Sequence, residues 1–195
     1  MTFTESLIDQ DIEAIRKSPK ADLHNHFVLG GSRKYLLEHS GRDIRSITHP
    51  LSSMDEMHAW NAENIGAFFD TPEGRRMLIR ASFVQAKEDG VTVLEIGEDV
   101  WGLGAFFNND IDELVDAFET AHRDIAPETE LRLQIGMSRH CDIAYLDDCL
   151  SHFWGCKAFY SIDLYGDESA QPIENFIRPV EKTPASAGGE MNRPN

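Results

Sequence analysis

The chain has 195 residues, 41% of them hydrophobic, which is enough for one globular domain with a substantial core. It contains 34 acidic and 18 basic residues, and its formal net charge is −16. This negative charge argues against nucleic-acid backbones and anionic membranes as partners, because both attract positively charged surfaces.

Targeting and redox signals are absent from the sequence pattern. No stretch reaches the ~18 apolar residues of a membrane span. The first six residues, Met-Thr-Phe-Thr-Glu-Ser, lack the basic and apolar regions of a signal peptide. Cys141, Cys149 and Cys156 form no Cys-x-x-Cys pair, which favours reduced thiols. We therefore expect a cytoplasmic protein.

The first 60 residues predict two helices around one short strand. Apolar residues at helical spacing predict a helix over 4–17 that Thr4 caps. A short buried strand is predicted over 21–27, and a short helix over 33–38. Residues 42–60 lack a clean period, which favours a surface loop with helical pieces and leaves a lid over a site as the alternative.

From residue 71 onward, strands and helices alternate. Thr71-Pro72-Glu73 predicts the start of a helix that ends at Asp89-Gly90. The nearly continuous apolar run that follows is typical of a strand covered on both faces of a parallel sheet. Residues 101–107 are interpreted as a Gly-rich aromatic loop that either lines an apolar pocket or packs under its own helix. The remaining predicted strands are 91–97, 131–137 and 159–164, and the remaining predicted helices are 109–125 and 143–153.

The order of these elements predicts an α/β fold. Strands separated by helices of this length imply parallel pairing with right-handed crossovers. About four strand–helix units are present, which is half of a (β/α)8 barrel.

Two histidines at the end of the first predicted strand are the main candidate site. His24 and His26 leave the same face of the strand, because side chains alternate along it, and Asp22 shares that face. Neutral imidazole is a common ligand of zinc and similar ions. The spacing by itself also fits two structural histidines, so both interpretations stay open.

Three acidic residues in the second predicted strand are further candidates. Glu95 lies in the middle of the strand, where a buried acid needs a partner, so it belongs either to a polar network or to a site. Glu98 and Asp99 lie at the carboxyl end, which is where barrel enzymes carry out their chemistry.

Three segments in order resemble the adenosine deaminase family of amidohydrolases. Residues 19–31 contain Pro-Lys-Ala-Asp-Leu-His-Asn-His, residues 137–140 read Met-Ser-Arg-His, and residues 162–168 contain Asp-Leu-Tyr-Gly-Asp-Glu. The resemblance covers roughly residues 8–177. It implies the amino-terminal half of a (β/α)8 TIM barrel, with both histidines at the end of its first strand.

The resemblance also implies a chemistry. In the family a divalent ion, usually zinc, activates a water that attacks C6 of adenine, and ammonia leaves. His24 and His26 match the first two metal ligands of the family. Gly166 matches a glycine whose backbone meets the purine edge, which makes it the candidate substrate-binding residue. The expected partner is a purine nucleoside or a related amine.

Several family residues have no match in this chain. The third metal histidine, the acid/base glutamate and a later catalytic histidine are expected beyond residue 177, so no catalytic residue is assigned. The stretch 187–190, Ala-Gly-Gly-Glu, lacks the histidine of the glutamate segment, and Glu190 receives no role. Val28 and Leu29 replace an aspartate that holds the ribose, which leaves a different amine or amide substrate as an alternative.

The composition changes after residue 177. Residues 178–195 contain three prolines and almost no apolar residues, which predicts a disordered or aberrant tail after a barrel half spanning 1–177. Such a truncated chain is expected to hold zinc weakly and to be nearly or fully inactive, since a catalytic zinc site needs three protein ligands. A non-catalytic half-barrel that associates with itself or another chain through open sheet edges is the alternative.

Overall fold

The computed structural model describes residues 2–177, in which four strands alternate with helices. The strands are Lys20–Asn25 (β1), Val91–Asp99 (β2), Glu130–Ser138 (β3) and Phe159–Tyr165 (β4). The helices are Phe3–Ile8 (α1), Ile12–Lys17 (α2), Arg33–Ser40 (α3), Met54–Asn64 (α4), Gly66–Phe69 (α5), Pro72–Asp89 (α6), Val100–Phe106 (α7), Ile111–Ile125 (α8) and Ile143–Ser151 (α9), with a 3-10 turn at Ile173–Phe176. The predicted tail over 178–195 lies outside the described residues.

The four strands form one curled parallel sheet in the order β1-β2-β3-β4. This arrangement is half of an α/β TIM barrel and confirms the predicted fold class. β1 and β4 are the two edges of the sheet within the described part of the chain. No helix within residues 2–177 has both the length and the apolar character that a membrane crossing requires.

The helix α6 begins and ends at the residues that the sequence marks. The Thr71 side chain accepts the Gly74 N–H, Pro72 occupies the first turn, and Gly90 ends α6 in the left-handed region with φ of 72°. α6 then buries apolar residues such as Leu78 and Phe83 in the same core cluster as the residues on the outer face of β2. Burial of this face positions the strand ends that carry the site.

Some predicted elements differ from the structure. The strand predicted over 21–27 is β1, Lys20–Asn25, and Phe27 lies beyond it with φ of 36°. The helix predicted over 4–17 is two helices, because Gln10 has φ of 55° between them. Thr2, and not Thr4 as predicted, caps the first of them. The aromatic loop predicted over 101–107 is mostly the helix α7. Its glycines serve close packing, since a Cβ on Gly102 would lie 2.4 Å from the Glu98 carboxyl carbon.

The inner face of the half-barrel carries a polar network. Ser161 Oγ donates a 3.1 Å hydrogen bond to Glu95 Oε2, and Gln134 Nε2 donates to Ser161 Oγ at 3.2 Å. Arg132 Nη1 lies 3.5 Å from Glu95 Oε1. Glu95 therefore belongs to a structural network that links β2, β3 and β4 on the inner side of the sheet.

Gly97 allows β2 and β3 to pair closely at the centre of this face. A Cβ there would lie 1.8 Å from the Gln134 carbonyl oxygen, so the backbone of β3 would have to move. We expect Gly97→Ala to lower the free energy of unfolding by about 1–3 kcal/mol in urea denaturation. Gly66→Ala is the control, because nothing lies within 4 Å of its Cβ position. Equal stability of the two variants would contradict this account.

Candidate metal centre

Two histidines at the end of β1 and one aspartate in β4 bring three ligand atoms together. His24 Nε2 and His26 Nε2 lie 2.8 Å apart. Asp163 Oδ2 lies 3.1 Å from His24 Nε2 and 3.0 Å from His26 Nε2. Within residues 2–177, no other group of three or more His, Cys, Asp or Glu side chains converges in this way. We name these three residues the His-His-Asp cluster.

The donor atoms of the His-His-Asp cluster fit a divalent ion. Neutral imidazole nitrogens and a carboxylate oxygen repel one another at these distances unless a proton or a cation lies among them. Asp163 Oδ2 is buried and makes no hydrogen bond of good geometry, despite its short contacts with both rings. Zinc binds such nitrogen and oxygen atoms at about 2.0–2.2 Å. The cluster therefore offers three ligands of the types that zinc takes.

The acidic surroundings also favour positive charge at this point. The short contact with the Asp163 carboxylate raises the pKa of His26, burial partly offsets that effect, and the charge of Asp99 raises the pKa further. His24 is more exposed, with 58% of its side chain accessible against 36% for His26. The cluster thus opens to solvent on the His24 side, from which an ion or a small ligand can enter.

Local hydrogen bonds at the end of β1 set the direction of the histidines. Asp22 Oδ1 accepts the His24 N–H at 3.3 Å, and Asp22 Oδ2 accepts from Asn25 Nδ2 at 2.8 Å. Asn25 Oδ1 in turn accepts the Phe27 N–H at 2.8 Å, and Phe27 leaves the strand with φ of 36°. Asp22 therefore braces the strand end, and it does not join the His-His-Asp cluster.

Gly166 and His140 lie together next to the cluster. Tyr165 packs edge-on against the His26 ring with centroids 4.8 Å apart, and Gly166 follows it with φ of 104°. A Cβ on Gly166 would lie 3.1 Å from His140 Cδ2. His140 Nε2 accepts the backbone N–H of Asp167 at 3.3 Å. His140 is thus a structural partner of the Gly166 turn.

Asp163 is the member of the cluster that the sequence did not identify. It opens the Asp-Leu-Tyr-Gly-Asp-Glu segment that was singled out for its family resemblance. Its proximity to His24 could not be read from the strand order, because β1 and β4 are opposite edges of the sheet. The curl of the sheet brings side chains at the carboxyl ends of these two strands within contact distance.

Comparisons with known proteins show which sequences and folds this chain resembles. No protein-family model matches the chain. A predicted adenosine/adenine deaminase of Treponema pallidum (strain Nichols) is 26% identical over 168 residues, which are 86% of this chain and 56% of that protein. The chain therefore spans about half the length of the curated relative that it matches.

Solved structures show the same fold. An amidohydrolase from Burkholderia ambifaria with bound zinc superposes with a TM-score of 0.64 at 17% identity, over 87% of this chain and 50% of that one. The adenine deaminase of Arthrobacter aurescens gives 0.62 at 17% identity, over 84% and 53%. The N6-methyl-AMP deaminase of Arabidopsis thaliana gives 0.57 at 15% identity, over 87% and 56%.

Proposed function

We propose, from the similarity of this chain to the amino-terminal half of the adenosine deaminase family, that it is the metal-binding half of a hydrolytic purine deaminase. His24, His26 and Asp163 hold a divalent ion, and zinc is the ion that their donor atoms suit best. The observation that carries the proposal is the convergence of these three ligand atoms at the carboxyl ends of β1 and β4.

The residues of this chain have defined roles in that reaction. When bound, a divalent ion supplies a water whose pKa is lowered towards 7 and a Lewis acid for the substrate. His26 and Asp163, which are more enclosed than His24, would hold such an ion most firmly. The exposed side of His24 leaves room for a substrate amine and for the ammonia that leaves.

A cavity near the first strand supports a flat ring with an apolar face as the substrate. This cavity has a volume of about 300 Å³ and begins at Val28 and Leu29, directly after His26 in the chain, although none of the three cluster residues lines it. Its lining includes both apolar and polar side chains: Leu36, Ile44, Trp60, Arg33, Arg45 and Ser46. The role of Gly166 at the purine edge is supported by the family resemblance alone, because the His140 ring lies against this glycine.

Zinc binding and purine deamination by the full 195-residue chain test the proposal. We expect one zinc ion per chain in calorimetric titration. With zinc present, we expect weak binding of adenine, adenosine or AMP and at most slow release of ammonia, because no acid/base glutamate is assigned. Small amides serve as the comparison substrates.

Each result of this experiment decides a part of the proposal. Zinc binding without any purine binding or turnover would refute the purine deaminase function. Preference for amides would replace it with a different amidohydrolase activity. Fast deamination by the isolated chain would refute our expectation that this half is nearly inactive. The absence of zinc binding would refute the metal site itself.

The open sheet edges support a second candidate function, a half-barrel that closes by association. β1 and β4 each pair with one neighbour within the described part of the chain. Leu23 on β1 and Tyr160 on β4 are 54% and 50% exposed, although they lie in strands. Unpaired strand edges with apolar residues are sites of pairing with another chain. Sedimentation analysis that shows a metal-free dimer would favour this function, and a zinc-loaded monomer would exclude it.

A further inference from the structure

Tyr165 lies on the inner face of the half-barrel, two residues beyond Asp163 on β4. Asp163 is in register with Gly136 on β3, and Tyr165 is in register with Ser138. Side chains two residues apart on a strand leave the same face, so Tyr165 follows Asp163 towards the carboxyl end of the strand. Tyr165 therefore lies at the rim that the carboxyl ends of the strands form, one step outward from the His-His-Asp cluster.

The Tyr165 ring packs directly against the cluster. Its centroid lies 4.8 Å from the centroid of the His26 ring, and the two planes make an angle of 76°. On the other side, the His24 and His26 centroids are also 4.8 Å apart, at an angle of 50°. The three rings thus form a continuous row at the ends of β1 and β4, and a ligand of the proposed ion would lie beside this row.

Several contacts hold the Tyr165 ring in place. Side-chain hydrogen bonds join its hydroxyl to the Asp99 carboxylate and to the Trp101 side chain. The ring also lies close to Gly136, because a Cβ there would be 3.3 Å from Tyr165 Cε1. The Tyr165 carbonyl oxygen accepts the Arg139 N–H at 2.9 Å, which ties the end of β4 to the chain that follows β3. A ring fixed in this way loses little conformational entropy when a ligand packs on it.

These contacts also determine what Tyr165 can offer to a ligand. The hydroxyl donates its one proton to the Asp99 carboxylate, and the Trp101 N–H donates to the hydroxyl oxygen. Tyr165 nevertheless stays partly exposed. Its inner-face neighbours on β3, Gly136 and Ser138, are too small to cover an aromatic ring. The ring surface therefore remains for a ligand, and such a surface favours a flat partner in offset or edge-to-face packing.

We propose that Tyr165 is a specificity-determining residue whose ring packs against a flat, aromatic amine at the His-His-Asp cluster. The inference rests on the proposed function, because it assigns a contact surface to the same site. In this arrangement the amine-bearing edge of the ligand points to the cluster, and its ring surface packs on Tyr165. A saturated amine of similar size keeps the first contact and loses the second, so Tyr165 selects for a planar ring.

Proton NMR of the tyrosine rings in the full chain with added zinc tests this contact directly. The sequence contains four tyrosines, and the Tyr165 signals are those that disappear in Tyr165→Phe. We expect adenine to shift the Tyr165 ring signals through its ring current, while the signals of Tyr35, Tyr145 and Tyr160 stay unchanged. If Tyr165→Phe does not fold, the same replacement at each of the other three tyrosines assigns the Tyr165 signals by elimination.

Two variants separate the role of the ring from that of the hydroxyl. Tyr165→Leu removes the ring and is expected to weaken adenine binding about 10-fold, as loss of an aromatic stacking partner does. Binding of cyclohexylamine, which has no flat ring, should change little in this variant. Tyr165→Phe keeps the ring and should retain most of the adenine affinity. Equal losses in the two variants would overturn the proposal, because the hydroxyl and not the ring would then be responsible.

The NMR results also separate this inference from the proposed function. Adenine binding without a shift of the Tyr165 signals would overturn the inference and leave the deaminase proposal standing. If adenine does not bind, the purine deaminase function is refuted, and benzimidazole then serves as the flat probe. A shift of the Tyr165 signals with benzimidazole would retain the inference. No shift with either compound would overturn it, whether or not zinc binds.

Discussion

Replacement of Arg75 by methionine is expected to lower the free energy of unfolding by about 3–5 kcal/mol, because it leaves the Glu98 carboxylate buried without its counter-charge. The two side chains are 0% and 1% exposed, and their charged atoms lie 2.6 Å apart. The Arg75 guanidinium also packs on Phe106, with its central carbon 4.4 Å from the ring centroid. Urea denaturation followed by circular dichroism measures the loss.

Because the loss of stability comes from the charge of the Glu98 carboxylate, the free energy of unfolding of this variant should depend on pH. Burial raises the pKa of Glu98 to about 7 even with Arg75 present, and removal of the arginine raises it further. A carboxyl whose pKa is higher in the folded state stabilises the fold at low pH, and this stabilisation is lost as pH rises through the folded-state pKa. The stability of Arg75→Met should therefore decrease from about pH 5 to pH 8.

Two comparison variants test the assignment of this effect to the buried pair. Arg75→Met combined with Glu98→Gln removes both charges and keeps an acceptor for the Asp99 N–H, so most of the lost stability should return. Arg16→Met removes an exposed arginine whose partner is Glu13, and it should change stability by less than about 1 kcal/mol. A double variant as unstable as Arg75→Met would show that the loss comes from packing alone.

Single changes in the His-His-Asp cluster are expected to have the largest effects on metal binding. His26→Ala and Asp163→Asn should each weaken zinc binding by more than the roughly 10–100-fold that follows loss of a supporting residue, because each removes a proposed direct ligand. The combined variant should lose little more than either change alone, since two remaining ligands already hold zinc poorly. Competition with a chromophoric chelator measures these affinities.

His39→Ala is the matched control for the cluster. His39 lies on α3, where its Nδ1 contacts the Tyr35 carbonyl oxygen at 2.9 Å and its ring stacks on Tyr35. This change removes an imidazole from the surface without touching the strand ends, so zinc affinity should stay the same. Equal losses in His39→Ala and His26→Ala would mean that zinc binds non-specifically to surface histidines.

The sequence by itself determined the alternation of strands and helices and the pair of histidines that ends the first strand. These features are local, because periodicity, helix caps and a two-residue spacing depend only on residues that are close together in the sequence. Where the predicted secondary structure differs from the observed one, contacts between distant residues are responsible. A positive φ at Gln10 and the contact between Gly102 and the Glu98 carboxyl depend on packing that the sequence pattern does not show.

Only the tertiary structure decided which acids belong to the site. Asp163 and Asp99 lie far from His26 in the chain, and the curl and register of the sheet bring them to it. Asp22, which shares a strand with the histidines, instead braces the strand end. The physical reason is that a ligand set is a property of converging strand ends, whereas sequence spacing reports only the direction of side chains within one strand.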